Sequence, residues 1–147
     1  MVYDLGRKSK IPDLELLKLL RMNARISYSD LARHFGVSDT AIRKKIKKLE
    51  DEGIIVRYTV EVDHRKLGFH AVAIIGIDTR PETYISVLEA LKKDENVVSM
   101  YSTTGDHMIL IECWFRSSGE LSEFVRRLEN MEGVTKVCPS IILEKIK

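Results

Sequence analysis

The chain has 147 residues, which predicts one ordinary domain or two small ones and is short for a large catalytic scaffold. Hydrophobic residues make up 44%, as is typical of a globular protein. The longest apolar stretch, 71–77, is far shorter than the roughly 18 residues of a membrane span. The polar first ten residues lack the apolar core of a signal peptide. We therefore expect no membrane partner and a cytoplasmic location.

The net charge of +2 combines two opposite parts. Up to Lys66 the chain holds 15 basic and 10 acidic residues, a balance of +5. The remainder holds 9 basic and 12 acidic residues, a balance of −3. The N-terminal part is therefore suited to contact a polyanion, and the C-terminal part is not.

The residues that usually carry enzyme chemistry form no recognisable constellation. The two cysteines, Cys113 and Cys138, match no zinc spacing, and we expect them to be buried thiols. The four histidines fall on unrelated elements, and no HExxH, GxSxG, P-loop or glycine-rich dinucleotide motif is present. The sequence thus favours a protein that is not an enzyme and has no metal or cofactor.

Three helices are predicted before residue 53. Leucines recur at helical spacing over 12–22. Ser27 and Asp30 have the spacing of a capping box at the start of the second helix, which ends at Gly36. Ser38 is the predicted N-cap of a third helix that extends to about Glu50. The short turn with glycine between the last two helices is typical of a helix-turn-helix motif.

The third helix is basic on its predicted outer face. Ile42, Ile46 and Leu49 recur at i, i+4 and i+7 and must point inward, and five of the six residues 43–48 are cations. A lone basic helix is usually a solvated surface, but this one follows a helix-turn-helix spacing, so double-stranded DNA is the expected partner. The predicted DNA-contacting residues are Ser27, Tyr28, Ser38, Thr40, Arg43, Lys44, Lys47 and Lys48, with Lys45 flanking them.

Arg43 and Lys44 are expected to read base edges, because they lie early in the helix, whereas Lys47 and Lys48 would neutralise phosphates.

The segment NARISYSDLARHFGVSDTAIRKKIKKLEDEGIIVRYTVEVDHRKLGF resembles the N-terminal module of the Lrp/AsnC (feast/famine) regulators, a winged-type helix-turn-helix followed by a strand linker. The resemblance implies a helix-turn-helix domain over 1–54, a strand linker over 55–68 and a second domain over 69–147.

From residue 71 the pattern alternates between extended and helical segments. A strand over 71–78 is followed by a helix with a capping spacing from Thr79 to Glu82, which should bury Ile85, Leu88 and Leu91. Strands are predicted over 97–104, 108–115 and 134–143, with a tight turn at 105–107 and a helix capped by Ser117 and Glu120 before the last strand. The order βαββαβ is that of a ferredoxin-like domain, so the whole chain belongs to the α+β class.

Two of these strands are apolar on both faces. The runs 74–77 and 108–111 contain no charged residue, although the two helices can cover only one face of the sheet. An exposed apolar face of this size favours aggregation unless a second sheet covers it. We therefore expect a homodimer whose sheets face each other.

The C-terminal part also resembles the RAM (regulation of amino-acid metabolism) domain of the same family. The resemblance implies dimers that assemble into tetramers or octamers and an amino-acid effector, of unknown identity, near a Gly-Asp-x-Asp hairpin turn. Here the turn reads Gly105-Asp106-His107-Met108, so the final acidic position is Met108. The predicted effector-binding residues are Tyr101, Thr103, Thr104, Gly105, Asp106, His107, Thr135 and Ser140.

Simpler alternatives remain for this turn and for the function. Gly-Asp is by itself a good hairpin turn, although Asp106 could also accept from an ammonium group while Thr103 and Thr104 donate to a carboxylate. The main hypothesis is a DNA-binding transcriptional regulator modulated by a small amino acid. The alternatives are an architectural DNA-binding protein without an effector and, less favoured, an enzyme like the siroheme decarboxylases.

Overall fold

The computed structural model describes residues 11–147. The first ten residues, on which the signal-peptide expectation depends, lie outside the described part. The chain divides into two compact units, one extending to Glu61 and one starting at Val62. This division lies within the segment 55–68 that the sequence assigns to a linker.

The N-terminal unit consists of helices α1 (Asp13–Met22), α2 (Tyr28–Phe35) and α3 (Asp39–Asp51). Their starts follow the predicted capping chemistry. The backbone N–H of Asp30 donates to Ser27 Oγ at 3.0 Å, and the N–H of Ala41 donates to Ser38 Oγ at 3.2 Å. Helix α2 ends at Gly36 in the left-handed conformation, with φ 65°, which glycine adopts without strain.

A compact core holds the three helices together. Leu16, Leu31, Ile42 and Leu49 are fully buried, and the small Ala32 allows α2 to approach α3 closely. The three inward positions predicted for the third helix are therefore confirmed. Burial of this apolar stripe fixes which residues of α3 face away from the core.

The segment expected to be a strand linker contains no strand in the described chain. Residues 56–63 have no regular structure, and 64–68 form a turn that Asp63 supports by accepting from the N–H of Lys66 at 3.2 Å. A strand requires a hydrogen-bonded neighbour, and the described residues of a single chain offer none here. The sequence of this segment indicates that its backbone prefers an extended conformation. It does not indicate whether a neighbouring strand is available for pairing.

The C-terminal unit has the predicted βαββαβ order. Its elements are β1 (Ala71–Thr79), a short 3₁₀ turn (Pro81–Thr83), α4 (Tyr84–Lys92), β2 (Val97–Ser102), β3 (Ile109–Phe115), α5 (Ser118–Glu129) and β4 (Val134–Ile141). The strands form one antiparallel sheet in the order β2-β3-β1-β4. This is the ferredoxin-like topology expected from the sequence.

The start of α4 differs from the prediction. Thr79 is still part of β1 and is buried, so it does not cap the helix; its hydroxyl donates to the carbonyl of Arg80 instead. The intervening 3₁₀ turn rotates the helix, so that Val87 is buried whereas Ile85 is 65% exposed. The predicted burial of Leu91 is confirmed, and Leu88 is half-buried.

Strand β4 forms one edge of the sheet and contains a proline. Pro139 lies opposite Ile75 of β1, and the N–H of Ile142 donates to the carbonyl of Val72 at 2.8 Å. Because N–H groups alternate in direction along a strand, the nitrogen of Pro139 faces the free edge. A proline is tolerated at this position because no ladder hydrogen bond within the sheet requires its missing N–H.

Helices cover only one of the two faces of the sheet. Helices α4 and α5 pack on the face that carries Ile75, Ile77, Ile109 and Ile111, which are all fully buried. The residues that alternate with them include Ile74, 42% exposed, and Leu110, which is half-buried. We call this second surface the open face. It is more mixed than predicted, because Asp78 and Glu112 also lie on it.

Candidate functional site

Helix α3 presents four exposed cations on one side. Arg43, Lys44, Lys47 and Lys48 are all exposed, as the sequence predicts. The flanking Lys45 is different: its side chain is only 18% exposed and forms an ion pair with Asp13 of α1. Lys45 therefore connects two helices within the unit and is not part of the exposed basic face.

The four exposed cations are held in different ways. Lys47 pairs with Asp51 at 3.0 Å, and Lys48 pairs with Glu52 at 3.6 Å, each one turn further along the helix. Lys44 makes no ion pair within the described residues. Such exposed pairs are weak and exchange readily for a phosphate. The early part of α3 thus keeps its donors available, whereas the later part is partly neutralised.

The remaining predicted DNA-contacting residues surround the start of α3. Thr40 is exposed in its first turn, and Ser27 and Ser38 cap α2 and α3. The hydroxyl of Ser29 donates to Asp39 Oδ2 at 2.8 Å, which ties α2 to the first residue of α3. This bond was not predicted, because it joins residues ten positions apart across the turn.

An aromatic ring supports one of the cations. The guanidinium carbon of Arg43 lies 4.7 Å from the centroid of the Tyr28 ring, a cation–π distance. Tyr28 itself is half-buried against the helical core. Tyr28 and Arg43 were each predicted to contact DNA, but their contact with each other was not evident from the sequence.

In the segment that follows α3, the side chain of Tyr58 contacts the end of this helix. Its hydroxyl donates to Glu50 Oε1 at 2.6 Å. Partial burial, followed by this hydrogen bond and the negative charge of Glu50, raises the pKa of Tyr58 to about 12. The bond attaches the segment that follows the helix-turn-helix motif to the end of α3.

In the C-terminal unit, the β2–β3 turn is fastened to β1 by one carboxylate. Asp78 Oδ1 accepts from the backbone N–H of Met108 at 2.9 Å, and Asp78 Oδ2 accepts from His107 Nδ1 at 3.0 Å. On the other side, the hydroxyl of Thr103 donates to the carbonyl of His107 at 2.6 Å. The turn is therefore fixed on both sides, and we call the Asp78–His107–Met108 contacts the turn latch.

A glycine in β1 makes room for the latch. The ring of His107 lies over Gly76 so closely that an added Cβ would be 2.2 Å from His107 Cδ2. Burial of Asp78 alone would raise its pKa, but the hydrogen bonds from His107 and Met108 outweigh that effect and lower it. Neither Gly76 nor Asp78 was predicted as a site residue. The only sequence signal was an acidic residue that ends an apolar strand.

The other predicted effector-binding residues are not gathered into one pocket of a single chain. Thr104, Gly105 and Asp106 are exposed at the turn, and Tyr101 is 59% exposed on β2. Thr135 and Ser140 lie on β4, at the opposite edge of the sheet. Three strand spacings, roughly 14 Å, separate the two edges. Within this set, the hydroxyl of Thr103 forms a hydrogen bond to the carbonyl of His107.

Several kinds of chemistry are not supported within residues 11–147. No group of three metal-ligating side chains is close enough to bind a metal ion there. None of the helices in that range could cross a membrane, given their length and polarity. Cys113 is buried, and this burial raises the pKa of its thiol to about 12, so that it is an inert core residue. Cys138 is half-buried rather than buried as expected.

The architecture is that of a helix-turn-helix protein with a ferredoxin-like second domain. Comparison with known proteins agrees. Residues 11–56 match the family model of a winged helix-turn-helix DNA-binding domain, and residues 72–147 match that of the Lrp/AsnC ligand binding domain. The chain belongs to the Lrp/AsnC family of transcriptional regulators.

Individual relatives support this assignment. The chain is 43% identical over 136 residues to the HTH-type transcriptional regulator LrpA of Pyrococcus horikoshii, covering 92% of this chain and 96% of the relative. Among solved structures, E. coli AsnC superposes with a TM-score of 0.79 at 29% identity, covering 93% of this chain and 95% of that one. A Neisseria meningitidis regulator solved in complex with L-Met shares the fold, with a TM-score of 0.84 at 23% identity, covering 97% of this chain and 93% of that one.

The named relatives are transcriptional regulators, so the alternative of a decarboxylase-like enzyme is not supported. The prediction of a DNA-binding regulator with a ligand-binding domain is confirmed at the level of the family.

Proposed function

We propose that two copies of this chain place their α3 helices in successive major grooves, about 34 Å apart, of a DNA site with two-fold symmetry. The observation that carries this proposal is the exposed face of α3, where Arg43 and Lys44 keep their donors available near the helix start. Arg43 and Lys44 read base edges, and Lys47 and Lys48 contact phosphates. The proposed regulator acts in the cytoplasm.

The experiment for this part uses a duplex selected by the wild-type protein from a pool of random sequences, with a scrambled duplex as control. Arg43→Ala should reduce the ratio of the two affinities by roughly tenfold or more, because a bidentate contact to guanine discriminates by about 1–3 kcal/mol. Lys47→Ala should leave that ratio unchanged. A wild-type ratio in Arg43→Ala would show that the assigned face is wrong.

The open face of the sheet supports the homodimer. Ile74 and Leu110 leave apolar surface exposed at the centre of a sheet whose other face is fully covered. Two copies would bury this surface against each other. Ile74→Glu should therefore convert a dimer into monomers in sedimentation velocity at micromolar concentration, whereas Ile85→Glu, on an exposed helix surface, should not. A monomeric wild type would refute the dimer.

The proposed effector is a zwitterionic amino acid that binds at the β2–β3 turn of assembled copies and changes how dimers form tetramers or octamers, and so how many DNA sites are held at once. The exposed carboxylate of Asp106 can accept from the ammonium group of the amino acid. Residues on β4, Thr135 and Ser140, can contribute only where assembly brings a second edge near the turn. The family description of the domain as ligand binding supports this assignment.

A thermal-shift screen of the twenty amino acids tests the effector. A ligand at about 100 times its Kd adds roughly 2.7 kcal/mol, which is easily measured as a rise in Tm. Asp106→Ala should abolish the rise and leave the ligand-free Tm unchanged, because Asp106 makes no hydrogen bond within the described residues. A flat screen would favour the architectural alternative, DNA binding without an effector.

A further inference from the structure

We propose that Tyr28 is a positioning residue for DNA sequence recognition: its ring holds the Arg43 guanidinium in the orientation that guanine requires. The inference rests on the proposed role of Arg43 at base edges. Tyr28 is the first residue of α2, and Arg43 is in the second turn of α3. The contact between them spans the helix-turn-helix motif.

The geometry of the contact separates Arg43 from the other cations of α3. Lys45, Lys47 and Lys48 pair with carboxylates, only the side chain of Lys45 among them being largely buried, and Lys44 has no ion pair within the described residues. The guanidinium carbon of Arg43 instead lies over the Tyr28 ring, 4.7 Å from its centroid. An aromatic ring, unlike a carboxylate, does not take up the strong hydrogen bonds of the guanidinium, so its N–H donors remain free for the O6 and N7 atoms of guanine.

The helical core restricts the motion of the Tyr28 ring. It is half-buried against the helical core, and the capped start of α2 fixes its backbone. An exposed arginine without such a support samples many rotamers, and binding a base must then immobilise it at an entropic cost. With the ring beneath it, part of this ordering is present before DNA binds.

A purely structural role for Tyr28 makes a different prediction. If the contact served only to hold α2 against α3, its loss would lower stability and weaken binding to every DNA sequence equally. If Tyr28 positions Arg43, its loss changes discrimination between sequences, while the salt dependence of binding stays the same because no phosphate contact is removed.

The experiment compares Tyr28→Phe and Tyr28→Leu in the full chain with the selected and scrambled duplexes. Tyr28→Leu should lower the affinity ratio roughly three- to tenfold, with an unchanged salt slope, whereas Tyr28→Phe keeps the ring face and should retain the wild-type ratio. The matched control is Phe69→Leu, which removes a ring whose centroid lies 4.9 Å from the guanidinium carbon of Arg116 in the other unit. This variant should change neither the affinity ratio nor the salt slope.

The outcomes are distinct. If Tyr28→Leu keeps the wild-type ratio while Arg43→Ala loses it, the positioning role is wrong and base reading by Arg43 stands. If Arg43→Ala also keeps the ratio, the proposed DNA-reading face fails. A loss equal in Tyr28→Phe and Tyr28→Leu would assign the effect to the hydroxyl and overturn the inference.

One measurement needs no variant and covers the case in which Tyr28→Leu does not fold. In the NMR spectrum of the free wild-type protein, the side-chain protons of Arg43 should be shifted upfield by the Tyr28 ring current. Resonances at ordinary random-coil positions would refute the contact between Arg43 and the Tyr28 ring on which the inference depends.

Discussion

The residues proposed for DNA contact lie on one exposed side of a helix-turn-helix motif, whereas those proposed for effector contact are divided between a turn and the far edge of a sheet. In the first case one chain supplies a complete surface. In the second case the open face leaves Ile74 and Tyr101 exposed, and no single pocket joins the predicted residues. The proposed DNA-contacting face thus needs only one chain, while the proposed effector site needs a second chain to bring its residues together.

The two units also have separate hydrophobic cores. The largest expected effect is the loss of stability when one of these cores is truncated. Ile42 is fully buried in the helical core, and truncating it to alanine should cost about 3 kcal/mol. The single tryptophan, Trp114, lies in the other unit, against His64 and Phe69. In Ile42→Ala, the part of the helical circular dichroism signal that comes from α1, α2 and α3 should therefore be lost at lower urea than the tryptophan fluorescence signal.

The matched variant for this comparison is Ile77→Ala, in the core of the C-terminal unit, which should shift the fluorescence transition instead. If Ile42→Ala moved both signals together, the two units would unfold as one body. The two units would then differ in their exposed surfaces but not in the cooperativity of their unfolding.

The next effect concerns the turn latch. Gly76→Ala places a methyl group where the His107 ring lies, so the ring must move and lose its bond to Asp78, at a cost of about 1–3 kcal/mol. In the double variant with His107→Ala, the added methyl no longer meets the ring. Urea unfolding should show that the double variant is more stable than Gly76→Ala alone. Additive losses would contradict the latch.

A smaller and pH-dependent effect is expected at Asp78. Because hydrogen bonds lower its pKa in the folded protein, their stabilisation is present above the ordinary carboxyl pKa and is lost as pH falls through the lowered value. Asp78→Asn should cost about 1 kcal/mol at pH 7. The difference from wild type should shrink below roughly pH 4. A difference that stays constant from pH 7 to pH 3 would show that the charge of Asp78 is irrelevant.

The smallest effect distinguishes the cations of α3 from one another. Lys47→Ala should reduce the slope of log affinity against log salt concentration by about 0.9, the contribution of one phosphate contact. Lys45→Ala should leave the slope unchanged, since Lys45 is paired with Asp13 and turned from the basic face. Equal slopes for the two variants would mean that their different exposure has no bearing on DNA contact.

The sequence predicts well what depends on neighbours along the chain. The caps at Ser27, Ser38 and Ser117 involve residues three positions apart, and the inward residues of α3 follow from helical periodicity alone. The strand order follows from the βαββαβ pattern. These features need no knowledge of distant contacts.

The features that were missed join residues far apart in the chain. Asp78 meets His107 across 29 positions, and Lys45 meets Asp13 across two helices. The cap assigned to Thr79 was wrong because a 3₁₀ turn separates β1 from α4, and hydrophobic periodicity alone does not register such a turn. The strand predicted within 55–68 does not form in the described chain, because no neighbouring strand lies beside this segment.

Pro139 has a consequence for how this protein can associate. A neighbouring chain that extended the sheet at β4 would find one donor missing from the ladder, so growth of an endless ribbon at that edge is opposed. Contacts through the faces of the sheet, by contrast, close on themselves with two-fold symmetry. Pro139 thereby opposes, at this edge of the sheet, the polymerisation of the protein into fibres.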